Sequence, residues 1–531
     1  MRGLVHALCV AASVVGIATA ASASAAAQLC VGPNPGCFAT LQAAVDAAAD
    51  GDTIKVAAGT FAGGVTIDVS VKIIGAGVSR TVISGGGPVL TIGEFGSPDE
   101  PTVTIDGMTI TGGVTRSSWA AGFVGDGVIA LGGGIEIPPN ADFDGGATVT
   151  IRNSAITGNR VAPNATAPSG LPCPGGDCPF ALAAGGGIDS WGTLTLKRTT
   201  VSDNHVGTAS GLSDLASDAV GGGITSRLGP LRIEDSVISG SQASATGTNA
   251  RFAEGGGVYA PGGSLSMINS AVTGNGALLE ASLPDTVELL AQSGGIFIGS
   301  GPATIVASRI VNNSVAMTNS AGNATAFSGG MNVGPDVDFR MSNSVIADNE
   351  VSSAATGSQS DAEGDTGGAA LVGKVTNTRV SGNTVTVSST AGDAFAAIGG
   401  LLQFGSLTNS TVSDNHLQAT SPNGSAGAAG GGVMVAEHTL TLRNTTVSGN
   451  TSVVNGQHGF GRGGGIYDGP TPFEGLQGSE LVLVNSGVSG NSLSGGAGTT
   501  LQGAGLYVEG QPLTLTHSVI AGNSPDQCFG C

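Results

Sequence analysis

A unit of twelve residues returns eleven times between residues 148 and 523, and this limits the fold more than any other feature of the chain. Its fullest copy reads Thr-Leu-Thr-Leu-Arg-Asn-Thr-Thr-Val-Ser-Gly-Asn, residues 439–450. Aligned on the last residue, the copies end at Asn159, Asn204, Ser241, Asn275, Asn313, Asn349, Asn383, Asn415, Asn450, Asn491 and Asn523. Ten intervals over 364 residues give about 36 residues per repeat. So short a unit cannot bury an apolar face by itself, so neighbouring repeats must stack on one another.

Ten and eight residues before the terminal position stand apolar side chains such as Leu440 and Leu442, Val149 and Ile151, or Leu194 and Leu196, mostly with a polar residue between them. That alternation is the period of a strand with one buried face. Ser or Thr stands five before the end in every copy, from Ser154 to Ser518, and Ile or Val three before it, from Ile156 to Ile520, so a second short strand follows. The residue just before the terminal Asn is Gly, Asp or Asn, types that tolerate left-handed and turn conformations. The Asn therefore sits at a corner. Asn carries both donor and acceptor on a short side chain, so Asn159, Asn204, Asn275, Asn313, Asn349, Asn383, Asn415, Asn450, Asn491 and Asn523 are expected to form a stacked amide ladder.

Upstream of each copy lies a glycine box, Gly-Gly-Gly-Ile at 132–135, 185–188, 221–224 and 463–466, Gly-Gly-Gly-Val at 255–258 and 430–433, with weaker forms such as Gly294-Gly-Ile296 and Gly399-Gly-Leu401. Glycines ahead of an apolar residue allow a sharp turn into a third strand. Three short strands and one variable spacer per repeat, with no amphipathic helix, predict an all-β chain folded as a parallel β-helix, a solenoid. The spacers, rich in Ala, Ser, Thr and Gly, follow the same corner and should pile along one edge, where such proteins usually bind.

Residues 1–27 combine Met1-Arg2, an apolar run and an Ala/Ser tract, the pattern of a secretory signal peptide. Residues 28–64 read as an N-terminal cap: Leu41, Ala44, Val45 and Ala48 share one helical face, Gly51 stops that helix, and Thr53 to Val56 begins a strand. Residues 65–531 then form the solenoid, with clear repeats from about 132 to 523. Export makes the three near cysteine pairs Cys30 with Cys37, Cys173 with Cys178, and Cys528 with Cys531 read as disulfides, the competing reading being metal binding. A secreted or cell-surface monomer is expected.

The run at 38–61 resembles the entry segment of right-handed parallel β-helix proteins of the pectin-lyase-like superfamily. That resemblance implies a right-handed coil behind a short capping helix. The Gly-Gly-x-Ile and Val-x-x-Asn pairing from residue 132 is also similar to the passenger repeats of polymorphic outer membrane proteins. Those proteins carry a C-terminal barrel, whereas eight residues follow Asn523 here, so self-export is not expected.

A net charge of −20 excludes nucleic acid as a partner and repels polyanionic glycans unless a metal bridges them. No segment after the leader is long and apolar enough to span a bilayer as a helix. The resemblance would imply polysaccharide lyase or hydrolase chemistry, yet its carboxylate, Gly-His-Gly and Arg-Ile-Lys patterns are missing, Arg232-Ile-Glu234 being the nearest, so no catalytic residue carries over. Asp142 with Asp144, and Asp361, Glu363 and Asp365, offer hard oxygens for calcium, against the plainer reading of solvated acidic loops; no other cofactor is implied. Tyr259 with Phe297, and Tyr467 with Tyr507, follow the glycine box at the same outward position on adjacent coils, as stacked exposed rings that could hold sugars, although cross-strand packing alone would account for them. The expected function is an exported binding or adhesion protein for a glycan or matrix component, with a polysaccharide-degrading enzyme as the competing class. Three or more charged side chains converging in one groove would favour the enzyme.

Overall fold

The computed structural model describes residues 26–117, 128–163, 180–208, 216–247, 250–285, 287–470 and 478–531. Most of the leader, and both Cys173 and Cys178, lie outside the described residues.

At the N-terminal end β1 (Gln28–Val31) is followed by α1 (Leu41–Asp46) and β2 (Thr53–Val56), and β1 pairs in parallel with β2. Thr40 Oγ1 caps the helix by accepting from Ala43 N, and Leu41, Ala44 and Val45 are buried. The helix thus lays its apolar face over the end of the stack. Cys30 and Cys37 are disulfide-bonded there, Cα atoms 4.7 Å apart.

From there the chain winds as a right-handed parallel β-helix whose described residues form three long parallel sheets, of 26, 14 and 20 strands. One representative coil runs β3 (Ile224–Ser226) and β4 (Leu231–Glu234) on the first sheet, β5 (Val237–Ser239) on the second, and β6 (Gln242–Gly247) and β7 (Ala250–Glu254) on the third. Each strand pairs in register with its equivalent one coil away, as Ile224 with Val258 and Leu231 with Leu265. The coil therefore holds five strands, where three were expected. The difference lies in the spacers. β6 and β7 are spacer residues, and their backbones find hydrogen-bond partners in the neighbouring coils, so low-propensity Ala, Ser and Gly become strand.

The two arms lie face to face as a thin fin. Ala243, Ala245, Ala250 and Ala253 fill the space between them, a core of small residues separate from the Ile, Val and Leu core of the solenoid. Near its tip Asp285, Asp361 and Asp393 each cap the next coil: Asp361 Oδ1 accepts from Asp393 N at 2.7 Å, and Asp393 Oδ1 from Ser425 N at 2.7 Å.

The corners explain the invariant positions. All eleven residues before the terminal position have positive φ, from +55° at Asp203 to +72° at Gly522. Behind them the asparagines stack: the Nδ2 of Asn313, Asn349, Asn383, Asn415, Asn450 and Asn491 donates to the Oδ1 of the next member at 2.8–3.0 Å, and each backbone N–H donates to the same oxygen. Asn159 to Asn204 and Asn275 to Asn313 repeat the contact. At Ser241 the amide chain breaks, because a hydroxyl is too short to reach Asn204 Nδ2; only Asn204 N reaches it, at 3.4 Å. At the opposite corner the Ser hydroxyls and that of Thr445 make a second ladder, accepting from the backbone N–H of the equivalent residue one coil earlier, as in Ser236 N to Ser270 Oγ at 3.1 Å. Gln527 ends the amide ladder by accepting from Asn523, and the Cys528–Cys531 disulfide, Cα atoms 6.1 Å apart, closes that tail.

The glycine box turns the chain from fin to first sheet. Its first residue is left-handed in every repeat, and where the box is weak in sequence the position is taken by Ser293, Ser328, Thr366 and Ile398, all between +54° and +59°. At the second position the chain passes so close to its neighbours that a Cβ on Gly222 would lie 2.4 Å from Gly256 O and Gln242 C.

Candidate functional site

Because the fin returns to the first sheet through this tight left-handed turn, the outward faces of β7 and of the strand after the box meet at an inside corner that runs the length of the molecule. Its character changes along the axis. At the early coils it is apolar, with Ile129, Leu131, Ala184 and Val220 packed together. At the late coils it is filled by Phe395, Ile398, Leu402, Met434, Tyr467 and Tyr507. Polar side chains accompany that early apolar wall and continue the corner up to the late filling, Glu136 and Asp189 standing across the same glycine boxes from Leu131 and Ala184, and Tyr259 packing against the apolar group.

Asp189, one residue past the box, is fully buried and held by Arg227, whose Nη2 and Nε lie 3.0 and 3.2 Å from Oδ1. Arg227 also lies 5.4 Å above the ring of Trp191, which forms an edge-on aromatic row with Phe143 and Phe95 at centroid separations of 6.1 and 5.6 Å. One coil on, Glu254 stands beside Val220 in the register, diagonal to Asp218. Glu254 accepts from Gln292 Nε2 at 2.7 Å and from the Tyr259 hydroxyl, and Asn332 Nδ2 donates to Gln292 Oε1 at 3.1 Å. Tyr259 stacks on Phe297 at 5.0 Å and 14°, both rings half-buried. Among the described residues Trp191 Nε1, Asp218 Oδ1 and Arg251 Nε have no hydrogen-bond partner.

Burial dominates the electrostatics. It pushes the Asp218 carboxyl up to about 6, helped by the negative charge of Glu254 and opposed by Arg251. Burial likewise raises Glu254 against its two hydrogen bonds, raises Tyr259, and raises Asp189 against the pull of Arg227. Two interacting carboxyls, one protonating near pH 6, can donate and accept protons or hydrogen-bond sugar hydroxyls.

The candidates read from sequence fall out differently. Tyr467 and Tyr507 stack at 5.2 Å as expected, but they are buried, not exposed. The late corner is packed shut: Tyr467 donates to Pro470 O at 2.7 Å, Tyr507 to Glu509 at 2.9 Å, and Arg462 and Phe529 cover the Tyr507 ring. The calcium candidates do not converge. Asp361, Glu363 and Asp365 alternate along one strand, which separates their origins by about 6.6 Å steps. Asp361 caps the fin tip and Asp365 accepts from Thr366 Oγ1 at 2.7 Å. Asn140 Nδ2 donates to Asp144 and Glu100, while Asp142 is exposed. Among the described residues no three His, Cys, Asp or Glu side chains come together as a metal site. Sequence reading passed over Asp189, Trp191, Asp218, Arg227, Arg251 and Glu254. Aligning the residues that flank each glycine box would have put Asp189 with Tyr259, and Glu254 with Gln292, in shared columns.

Two carboxyls with raised folded-state affinity for protons also set a pH dependence. Asp218 and the buried inward Asp468 both protonate at about 6 in the fold, against an unfolded carboxyl near 3.8. Their stabilising contribution is complete below the unfolded value and is lost as pH rises through 6. The unfolding free energy is therefore expected to fall as pH rises from about 4 to 7, by on the order of 1–3 kcal/mol per group, and the melting temperature with it. Thermal melts of the wild type and of Asp218→Asn with Asp468→Asn check this: the double variant should flatten the slope, and an unchanged slope refutes the assignment.

The fold and corner define a class: a parallel β-helix with a stacked amide ladder, an alanine fin and a polar, aromatic-flanked inside corner. No family model matches the chain, and no curated protein does. Among solved structures it is similar to the A-modules of two Azotobacter vinelandii mannuronan C-5 epimerases, AlgE4 (13% identity, 91% of this chain and 95% of that one, TM-score 0.29) and AlgE6 (14%, 90% and 94%, 0.29). It is also similar to the receptor binding domain of the Siphovirus 9NA tailspike (12%, 93% and 77%, 0.20). Likenesses of this size leave function to the residues themselves. No helix among the described residues is long and apolar enough to cross a membrane.

Proposed function

We propose that this chain is an exported glycan-binding β-helix whose binding surface is the polar stretch of the inside corner. The carrying observation is the half-buried Tyr259–Phe297 stack beside Glu254, Gln292 and Asn332. Flat apolar faces for the CH side of a sugar ring, with amide and carboxylate groups for its hydroxyls, are the chemistry of carbohydrate recognition. The Trp191–Arg227–Asp189 group extends the same surface along the axis.

A second reading, a glycan-cleaving enzyme, is favoured by the convergence of Asp189, Asp218, Arg227, Arg251 and Glu254 in that corner. Asp218 and Glu254 would then be the acid–base pair.

Calorimetry with a panel of soluble oligosaccharides tests the binding. Phe297→Ala should weaken the best ligand at least about tenfold, the loss of one stacking face, with the melting temperature little changed. Equal binding by the variant would remove the site. Product analysis of the same mixtures separates the two readings: new reducing ends that vanish in Glu254→Gln would establish the enzyme.

A further inference from the structure

The last coil leaves part of the solenoid's end uncovered. β8 (Leu513–Thr516) and β9 (Val519–Ala521) each pair along one edge, with the coil before them. The tail beyond them closes the rest: β10 (Cys528–Phe529) pairs with the strand Leu506–Val508, Asp526 accepts from Gly503 N and Ala504 N, and Gln527 ends the amide ladder. Leu515 is 44% exposed although it stands in an inward column, whereas Leu483 and Leu442 beneath it in that column have no exposed surface. With Val519 and Phe529 it makes three of the seven exposed large apolar side chains among the described residues.

An uncovered strand edge with apolar side chains is a template for another chain, and charges, prolines or a covering element normally guard it. β8 and β9 contain no charge and no proline. Residues 481–525 hold one charged side chain, Glu509, on a chain of net charge −20, so two copies can bring these ends together without the repulsion that their other surfaces would meet. The N-terminal end offers no such face, because α1 buries Leu41, Ala44 and Val45 over it and Phe38 bridges to Val31. Head-to-tail growth is therefore closed off, and the match for the open end is a second open end.

We propose that two copies of this chain join tail to tail, β8 of one pairing antiparallel with β8 of the other. Centring the pair on Thr514 sets Leu513 of each copy opposite Leu515 of the other and keeps both on the core side, since a shift of one residue would turn one of them outward. A twofold contact of this kind uses one surface twice and closes at two copies. With the fin edge included it buries on the order of 1,000 Å² in all, the lower bound of a specific interface, so a micromolar affinity is expected.

Sedimentation equilibrium of the full chain over about 1–100 μM tests it. The mean mass should rise toward twice that of one chain. Leu515→Lys should hold it at the single-chain mass over the same range, while Val237→Lys, at an exposed position in the middle of the second sheet, should leave the pairing unchanged. Under mild oxidation Thr514→Cys should give a disulfide-linked pair on a non-reducing gel, and Thr441→Cys, two coils earlier in the same outward column, should not. Because Thr514 is exposed, this second variant decides the matter even if Leu515→Lys loosens the last coil. A single-chain mass throughout, a pair that survives Leu515→Lys, a mass that grows past two copies, or equal cross-linking at positions 514 and 441 each overturns the proposal.

Discussion

Replacing Asn383 by leucine is expected to lower the unfolding free energy by about 3–5 kcal/mol, because one side chain serves three coils. Its Oδ1 accepts from the backbone N–H of Asn349 at 3.1 Å and from Asn349 Nδ2 at 2.9 Å, and its own Nδ2 donates to Asn415 Oδ1 at 2.8 Å. Asn383 has no exposed surface, so no water replaces these partners. Leucine would strand the backbone N–H of Asn349, a buried group costing about 1–3 kcal/mol, would leave Asn349 Nδ2 with Ile310 O alone and Asn415 Oδ1 with the backbone N–H of residue 383 alone, and would force a larger apolar side chain into the polar corner. The natural break offers the opposite change. Ser241→Asn should rejoin the ladder between Asn204 and Asn275 and stabilise by about 1 kcal/mol. The exposed-face change Thr441→Ser should do almost nothing. Chemical denaturation of the three variants decides it, and a loss under 1 kcal/mol for Asn383→Leu would mean the ladder contributes little.

The second large effect is expected at the glycine box. Gly222→Ala should lower stability by at least about 4 kcal/mol or prevent folding, since the added methyl meets the backbone of the next coil's glycine box and of the start of β6 and not a movable side chain. A Cβ there would stand 2.4 Å from Gly256 O and 2.6 Å from Gln242 N, and neither can withdraw without breaking the sheet that stacks on it. Gly487 provides the control. It lies in a short strand of the second sheet, and the place its methyl group would take has nothing within 4 Å, so Gly487→Ala should be neutral or slightly stabilising. Equal melting temperatures for the two alanine variants would show that the box is retained for a reason other than close approach.

Fold and site were legible to different degrees. The coil, its inward columns, its corner residues, α1 and β2 all follow from local spacing, because an in-register stack repeats one chemical demand per coil and the repeat writes that demand into the sequence at constant intervals. Asn at the amide corner and Ser or Thr at the opposite one are such demands: they satisfy backbone donors from the preceding coil. The fin was not legible. Residues such as Ser244 and Ala245 have little intrinsic preference for strand, and they are strand because neighbouring coils supply partners for their backbones.

The corner was half legible. Tyr259 and Phe297 could be paired from sequence, since they share a position in adjacent repeats, yet the same rule could not tell them from Tyr467 and Tyr507, which pair identically and are buried. What separates the two stacks is the other wall. Opposite Tyr259 the fin presents Glu254 and Gln292; opposite Tyr467 and Tyr507 it presents Phe460 and Arg462. That wall comes from the spacers, whose lengths vary from repeat to repeat. By itself, then, the sequence determined the solenoid, its caps and its ladders, because each depends on residues at fixed separation. Tertiary structure decided where the corner is open, which carboxyls face one another and which aromatic rings are covered, because those depend on two walls that no constant spacing relates.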